Sequence, residues 1–308
     1  MHVIHGHKHV LPEFRGAAVA IGNFDGVHRG HRALLAEAKS RAAEKKVLAS
    51  AMTFEPYPRE FFQPNEAHFR LTPLKRKLAI FEALGLDLAF VEPFNAELAN
   101  LSGEDFIQRV IVAGLGASHV IIGYDFYFGH KRSGNPEMML RAGEEFGFGV
   151  TIMPPVAEAG EPFSSSAVRL YLAQGDVKGA AHVLGEPWRV SGKVVGGAKR
   201  GTGMGYPTAN VPMPKGTTLG HGIYAVRAYF DGVPHNAAAY LGTRPTFDDG
   251  MPVLEVFLFD FNGDLYGRTM EVEFIDFIRA DRKFHSVEEL VAQMDKDIAA
   301  VKAVLAAS

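Results

Sequence analysis

The sequence predicts an α/β domain followed by a small antiparallel β-barrel domain that ends in a C-terminal helix. Two textures in the chain of 308 residues carry that expectation. From residue 17 to about 153, short apolar runs alternate with amphipathic segments, the pattern of a parallel sheet with helices on both faces. From Trp188 onward the runs become short strands of alternating polarity separated by turn dipeptides. The length is comfortable for two hydrophobic cores.

In the first half, strands are expected at 17–21, 47–53, 88–91, 119–122 and 150–153, with helices at about 31–45, 73–84, 103–113 and 136–147. Ser102 is suited to cap the third of these helices. Such alternation implies a Rossmann-like architecture that binds ligand at the carboxyl ends of its strands. A helix near 166–174 follows. Gly175, Gly179 and Gly185-Glu186-Pro187 then read as a loose connection, which puts the domain boundary at 185/186.

In the second half, strands are expected at 189–195, 223–230, 253–259 and 270–277, with turns at Asp231-Gly232 and Asn262-Gly263. The period of two is clearest in Met270-Glu271-Val272-Glu273-Phe274. Short strands at this spacing suggest a small barrel. The closing helix, about 286–305, begins with Ser286 and Glu289 as a capping box. Its apolar stripe, Val287, Leu290, Val291, Met294, Ile298, Val301 and Leu305, reads as packing.

Composition narrows the chemistry. The chain has no cysteine, which excludes disulfides, thiolate metal sites and cysteine nucleophiles. A net charge of −3 argues against nucleic acid as a partner held by phosphate contacts. No apolar run has the length of a membrane span and no signal-peptide core is evident, so the expected compartment is the cytoplasm. His2, His5, His7 and His9 resemble a metal-binding run but have no carboxylate at ligand spacing, and they read as incidental.

The most informative stretch is Gly22-Asn23-Phe24-Asp25-Gly26-Val27-His28-Arg29-Gly30-His31, where an expected strand gives way to a helix. The first helical turn offers free N–H groups and a partial positive charge to an anion. Imidazoles there can hydrogen-bond a polyphosphate, and Gly30 leaves the backbone bare for close approach. Three more stretches fall on the same expected edge. Thr53-Phe54-Glu55-Pro56-Tyr57-Pro58 ends the second strand. Gly123-Tyr124-Asp125-Phe126-Tyr127-Phe128-Gly129 sets four aromatics beside an acid, suited to a planar ring. Ser164-Ser165-Ser166-Ala167-Val168-Arg169 places hydroxyls and a guanidinium at a helix start, suited to phosphate oxygens.

These residues resemble the H-x-G-H nucleotidylyltransferase superfamily, and within it the adenylyltransferase module of the bacterial bifunctional riboflavin kinase/FAD synthetases. The later stretches are similar to that family's T-F-x-P-H-P, G-x-D-F-x-F-G and S-S-T-x-I-R motifs, with Tyr57 where the family carries His. The resemblance implies an adenylyl-transfer site with His28 and His31 at the ATP phosphates. Gly22, Asn23, Phe24, Asp25, Gly30, Ser164, Ser165, Ser166 and Arg169 would complete the ATP site, and Asp125, Phe126 and Phe128 would meet the flavin.

In the second half, Gly201-Thr202-Gly203-Met204-Gly205-Tyr206-Pro207-Thr208-Ala209-Asn210 is neither a dinucleotide fingerprint, since no βαβ unit follows, nor a P-loop. Thr208 and Asn210 are two apart, so on a strand they share a face and can serve a hard cation such as Mg²⁺. The run resembles the G-R-x-x-G-[FY]-P-T-A-N signature of the riboflavin kinase module, with Thr202 in place of the arginine. The resemblance implies ATP phosphate contacts from Lys199, Arg200, Gly201, Gly205, Pro207, Thr208 and Asn210, with Mg²⁺ at Thr208 and Asn210. Gly242-Thr243-Arg244-Pro245-Thr246-Phe247 is similar to the G-x-[RN]-P-T-F loop. Glu255 matches the catalytic base, with Phe257 replacing a neighbouring His, and Arg279 and Phe284 match residues bordering the flavin.

The resemblance spans the chain. It implies a cytoplasmic enzyme, monomeric or weakly self-associating, that phosphorylates riboflavin with ATP to FMN and adenylylates FMN to FAD plus pyrophosphate. Two other readings stay open at this point: that only one of the two activities operates, or that the chain is a non-catalytic flavin-binding or regulatory protein.

Overall fold

The computed structural model describes residues 1–196, 208–214, 216–243, 252–261 and 263–308. The chain forms two compact units. The first contains Met1–Ala67 and Thr72–Ser164; the second contains His68–Leu71 and Ser165–Ser308.

The first unit is built on six parallel strands: β1 (His2–His5), β2 (Ala18–Ile21), β3 (Ala49–Glu55), β4 (Leu88–Pro93), β5 (His119–Gly123) and β6 (Gly149–Met153). Their order is β1-β4-β3-β2-β5-β6. All of β2 is buried, which explains its unbroken apolar run: a strand covered on both faces has no polar side to alternate with. Ala18 and Ala20 face α1 (Arg29–Lys45) through Leu35, Ala38 and Ala42. Val19 and Ile21 join the opposite layer with Phe106, Val110 and Ile111. The further helices of this unit are α2 (Pro58–Phe62), α3 (Leu74–Ala83), α4 (Ala96–Ala99), α5 (Gly103–Asp105) and α6 (Pro136–Phe146).

Two features depart from the expected elements here. The N-terminal histidine run begins with β1, which pairs in parallel with β4 at the sheet edge. The helix expected at 103–113 is α5, capped by Ser102 through the Asp105 N–H at 3.0 Å, continuing as a π-helix over Phe106–Leu115.

The second unit opens with α7 (Ser165–Ala173) and α8 (Val177–Leu184). The latter replaces the loose connection expected from the glycines. Asp176 caps it by accepting from the Gly179 N–H at 2.8 Å, and Gly185, at φ 83°, ends it. Gly179 is a packing requirement, because a Cβ there would lie 2.6 Å from the Tyr171 ring.

After the two-stranded pair β7 (Ala157–Glu158) and β8 (Glu161–Pro162) of the first unit, six antiparallel strands make up the second: β9 (Arg189–Lys193), β10 (Ala209–Pro212), β11 (Gly222–Phe230), β12 (Val233–Thr243), β13 (Pro252–Leu258) and β14 (Thr269–Ala280). Their order is β10-β13-β12-β11-β14-β9. A bridge between Val195 and Asn210 joins the two ends of that order, so the sheet is a nearly closed barrel. The expected Asp231-Gly232 turn links β11 to β12 with φ of 51° and 79°. Of the Asn262-Gly263 turn, Asn262 lies outside the described residues. Residues 68–71 belong to this unit through Trp188, whose indole donates to the Leu71 carbonyl at 3.1 Å and whose ring stacks on Phe274.

The last helix, α9 (Val287–Ala306), lies on the outer face of the barrel. Val301 and Leu305 pack on Ile223, Ala225, Ala238 and Ile275. The expected apolar stripe is only half used, since Val287 is 60 % exposed and Leu290, Val291 and Met294 are partly so.

Candidate active sites

Strand order in the first sheet turns back at β2, which lies between β3 and β5. In an open α/β sheet that switch point is where the carboxyl ends leave a crevice. The strand ends Ile21, Glu55 and Gly123 all point their following loops there. The loop after β2 is buried and strained. Phe24 and Val27 take positive φ of 49° and 43°, beside Gly26 at 90°. Such backbone costs on the order of 1–3 kcal/mol per residue and persists only where the surroundings enforce it.

His28 ends that loop as the N-cap of α1, its Nδ1 accepting from the His31 N–H at 3.3 Å. The two imidazoles stack 3.6 Å apart with 25° between their planes, and Phe24 meets His31 edge-on. A Cβ at Gly30 would lie 3.0 Å from the Phe163 carbonyl and 3.1 Å from His28 Nδ1, a tight fit that glycine relieves. Burial pushes His28 down to about 4. His31 is held well below the usual histidine range by burial, then by His28 and by Lys77. His31 Nδ1 is buried with no hydrogen-bond partner among the described residues. Both imidazoles are therefore neutral at pH 7, and they bring hydrogen-bonding capacity to this helix end without a full charge.

A fully buried cation at this loop is Lys77, which sequence reading did not single out. It is fully buried on α3, and its ammonium donates to the Asn23 carbonyl at 2.6 Å and to Thr53 Oγ1 at 2.9 Å. It also lies 4.5 Å from the centroid of the Tyr57 ring. The signal was present: Lys77 sits at helical spacing with Ile80, Phe81 and Leu84, a lysine on an apolar face. Tyr57 donates to Asp25 Oδ1 at 3.1 Å, and the same oxygen accepts from the Thr72 N–H at 3.2 Å. Asp25 is thus held as a loop anchor, 6 % exposed.

In the aromatic loop after β5, Asp125 is exposed, Phe126 is half-buried and Phe128 is in the core. Phe128 stacks on Phe126 at 5.4 Å and packs on Phe106 at 5.3 Å. Ser164 is half-buried at the end of the first unit. Ser165, Ser166 and Arg169 begin α7 in the second unit. The Arg169 guanidinium donates to the Phe69 carbonyl at 2.9 Å and to the Ser165 carbonyl at 3.3 Å.

On the barrel, Asn210 of β10, Glu255 of β13 and Tyr240 of β12 are directly opposed across three neighbouring strands. Opposed residues share a face, here the outer one, since Leu254, Val256, Ala239 and Leu241 alternate into the core. Tyr240 donates to Asp281 at 3.1 Å, and burial with Asp281 and Glu255 nearby raises its hydroxyl to about 12. Arg279 is fixed by the buried Asp297 of α9, with contacts of 2.7 to 3.1 Å, and Gln293 donates to the same carboxylate at 2.7 Å. The Phe284 ring lies under Arg282 at 4.6 Å and Arg279 at 5.8 Å. Asp297 was hidden in a helix read only for its apolar stripe.

Thr208 is half-buried just before β10. Lys199, Arg200, Gly201, Thr202, Gly205, Pro207 and the loop at 244–247 lie outside the described residues. Among the described residues no group of three or more His, Asp or Glu side chains is arranged to hold a metal ion. Of the N-terminal histidines, His7 pairs with Glu92 at 2.8 Å. Thr208 and Asn210 offer hydroxyl and amide oxygens beside the Glu255 strand, a donor set that fits a hard cation such as Mg²⁺.

Comparison with known proteins covers both units. The FAD synthetase family model matches residues 10–167 and the riboflavin kinase family model matches residues 184–305. The chain is 40 % identical to the bifunctional riboflavin kinase/FMN adenylyltransferase of Pseudomonas fluorescens, covering 100 % of this chain and 99 % of that one. Its Escherichia coli K12 counterpart is 39 % identical over 92 % of this chain and 90 % of its own. A crystal structure titled macrolide-efflux protein, from Streptococcus pneumoniae, is 28 % identical with a TM-score of 0.85, covering 98 % of this chain and 99 % of that chain. Among the described residues of the present chain, no helix is long and apolar enough to cross a membrane. With both family models matched in order and relatives similar from end to end, the chain belongs to the bifunctional riboflavin kinase/FMN adenylyltransferase family.

Proposed function

We propose that residues 1–185 adenylylate FMN with ATP, giving FAD and pyrophosphate, and that residues 186–308 phosphorylate riboflavin with ATP, giving FMN and ADP. The observation that carries this reading is the stacked His28–His31 pair capping α1 at the switch point of the first sheet. A helix N-terminus with two neutral imidazoles is a site for a polyphosphate. The FMN phosphate is already a nucleophile at pH 7, so attack on the α-phosphorus of ATP needs positioning and charge stabilisation in place of a strong base. His28 and His31 hold the phosphates by hydrogen bonds. Gly22, Asn23, Phe24, Asp25 and Gly30 shape the loop, and Ser164, at the end of the same unit, supplies a further phosphate contact. Phe126 and Asp125 are the flavin contacts of this module, with Phe128 backing them from the core.

In the kinase module Glu255 accepts the proton of the ribityl hydroxyl as the γ-phosphoryl group transfers. Thr208 and Asn210 would hold Mg²⁺, which supplies charge neutralisation on the nucleotide phosphates when bound. Lys199, Arg200, Gly201, Gly205 and Pro207 are assigned to the ATP phosphates, and Arg279 with Phe284 to the flavin edge. ATP and flavin as substrates make the cytoplasm the compartment of choice.

The test is to incubate the purified chain with riboflavin, ATP and Mg²⁺ and separate the flavins. FAD is the expected product. FMN alone would leave a kinase, and no turnover would leave a binding protein.

A further inference from the structure

Lysine is almost never fully buried, yet Lys77 has no exposed surface. Its ammonium grips the loop after β2 at the Asn23 carbonyl, 2.6 Å away, and Thr53, which accepts from the ammonium, itself donates to that carbonyl at 3.1 Å. A second grip holds the next acidic residue: the Tyr57 hydroxyl and the Thr72 N–H both donate to Asp25 Oδ1. The Tyr57 ring lies against the ammonium, so the two grips share a member. They flank Phe24, the residue whose φ of 49° strains the loop and whose ring meets His31. Taking an ammonium out of water costs several kcal/mol, and a methionine would fill similar space without that cost. The charge at this position therefore does something that packing cannot.

We propose that Lys77 is a positioning residue for adenylyl transfer, acting through Asn23, Thr53 and the Tyr57–Asp25 pair to fix the strained loop that sets His28 and His31. This rests on the proposed adenylyl-transfer function of the first unit. The loop's carbonyl and carboxylate are the attachment points, so loosening either one releases Phe24 toward an ordinary backbone conformation and unstacks the histidine pair. The ammonium also adds a fixed positive charge beneath a loop meant to receive phosphates.

The test measures kcat and KM for FMN adenylylation in native chain, K77M and T53V, with flavokinase turnover as the control for folding. In K77M, kcat should fall by about thirtyfold or more while KM for ATP changes by less than about threefold, the signature of lost geometry at the transition state. T53V, which keeps the lysine and removes its hydroxyl partner, should lose about fivefold in kcat. Flavokinase turnover should persist in both. Native-like adenylylation kinetics in K77M, with FAD formed by the native chain, overturns the proposal. If K77M loses both activities together, T53V decides: an unchanged kcat there overturns the proposal, and a selective fall supports it. A native chain that makes no FAD defeats the functional reading first, and the proposal with it.

Discussion

His28 and His31 occupy a helix end that welcomes anions, yet their burial disfavours the protonated imidazoles that would carry positive charge there. The sign of the resulting pH effect is fixed. His28 lies near 4 in the folded chain against 6.5 as its ordinary value, so the unfolded chain binds the extra proton in that interval. Stability from this group is fully present above about 6.5 and is lost as the pH falls toward about 4. Urea midpoints measured from pH 7 to pH 4 should therefore decline, and H28N should flatten that decline. Replacing one histidine tests its role directly: H31A should cut FAD formation by about a hundredfold while sparing FMN formation from riboflavin. E255Q should do the reverse, and equal loss of both activities in either variant would refute independent sites. At this scale, the residues in contiguous motifs were legible in the sequence. Lys77 and Asp297 were not, because each is one polar residue in an amphipathic helix. Its importance comes from a contact more than fifteen residues away, Lys77 with Thr53 and Asp297 with Arg279.

At the scale of elements, apolar patterning located β2 to β6 and the long helices, because each of these buries a continuous or periodic apolar face. It missed β1, β10, β12 and α8. β10 has only four residues, too few for a period to show. Near its start β12 carries Pro234, His235 and Asn236, which break the alternation, and it is held as a strand by β11 and β13 on either side. The glycine inside α8 argued against a helix until Asp176 and the space beside Tyr171 are seen. The last helix was legible as a helix but not in its purpose. Its exposed first half and buried Asp297 make it a strut for Arg279 as much as a cover for the barrel. D297A should lower the stability of the second unit by about 2 kcal/mol, since a part-buried guanidinium loses its charged partner. It should also raise KM for riboflavin, and thermal unfolding with flavokinase kinetics would measure both effects.

At the scale of the molecule, each unit has its own sheet and its own candidate site, and the two family models divide the chain in the same order. Separate sites linked by FMN as a shared intermediate can be complemented. A mixture of E255Q and H31A chains given riboflavin, ATP and Mg²⁺ should yield FAD, at a rate that rises with the concentration of both proteins. Separated flavins sampled over time would check it, and persistence of unconverted riboflavin or FMN would show that one chain must perform both steps.

The seam of the barrel has a consequence beyond shape. Val195 N donates to the Asn210 carbonyl at 2.9 Å, joining the two strands that would otherwise be the sheet's free margins. A margin left open is a row of unpaired amides, a template on which a neighbouring chain can add a strand and begin an aggregate. Asn210 thus serves two ends at once. Its carbonyl helps deny that template to other copies of the protein, while its side chain shares a face with Glu255.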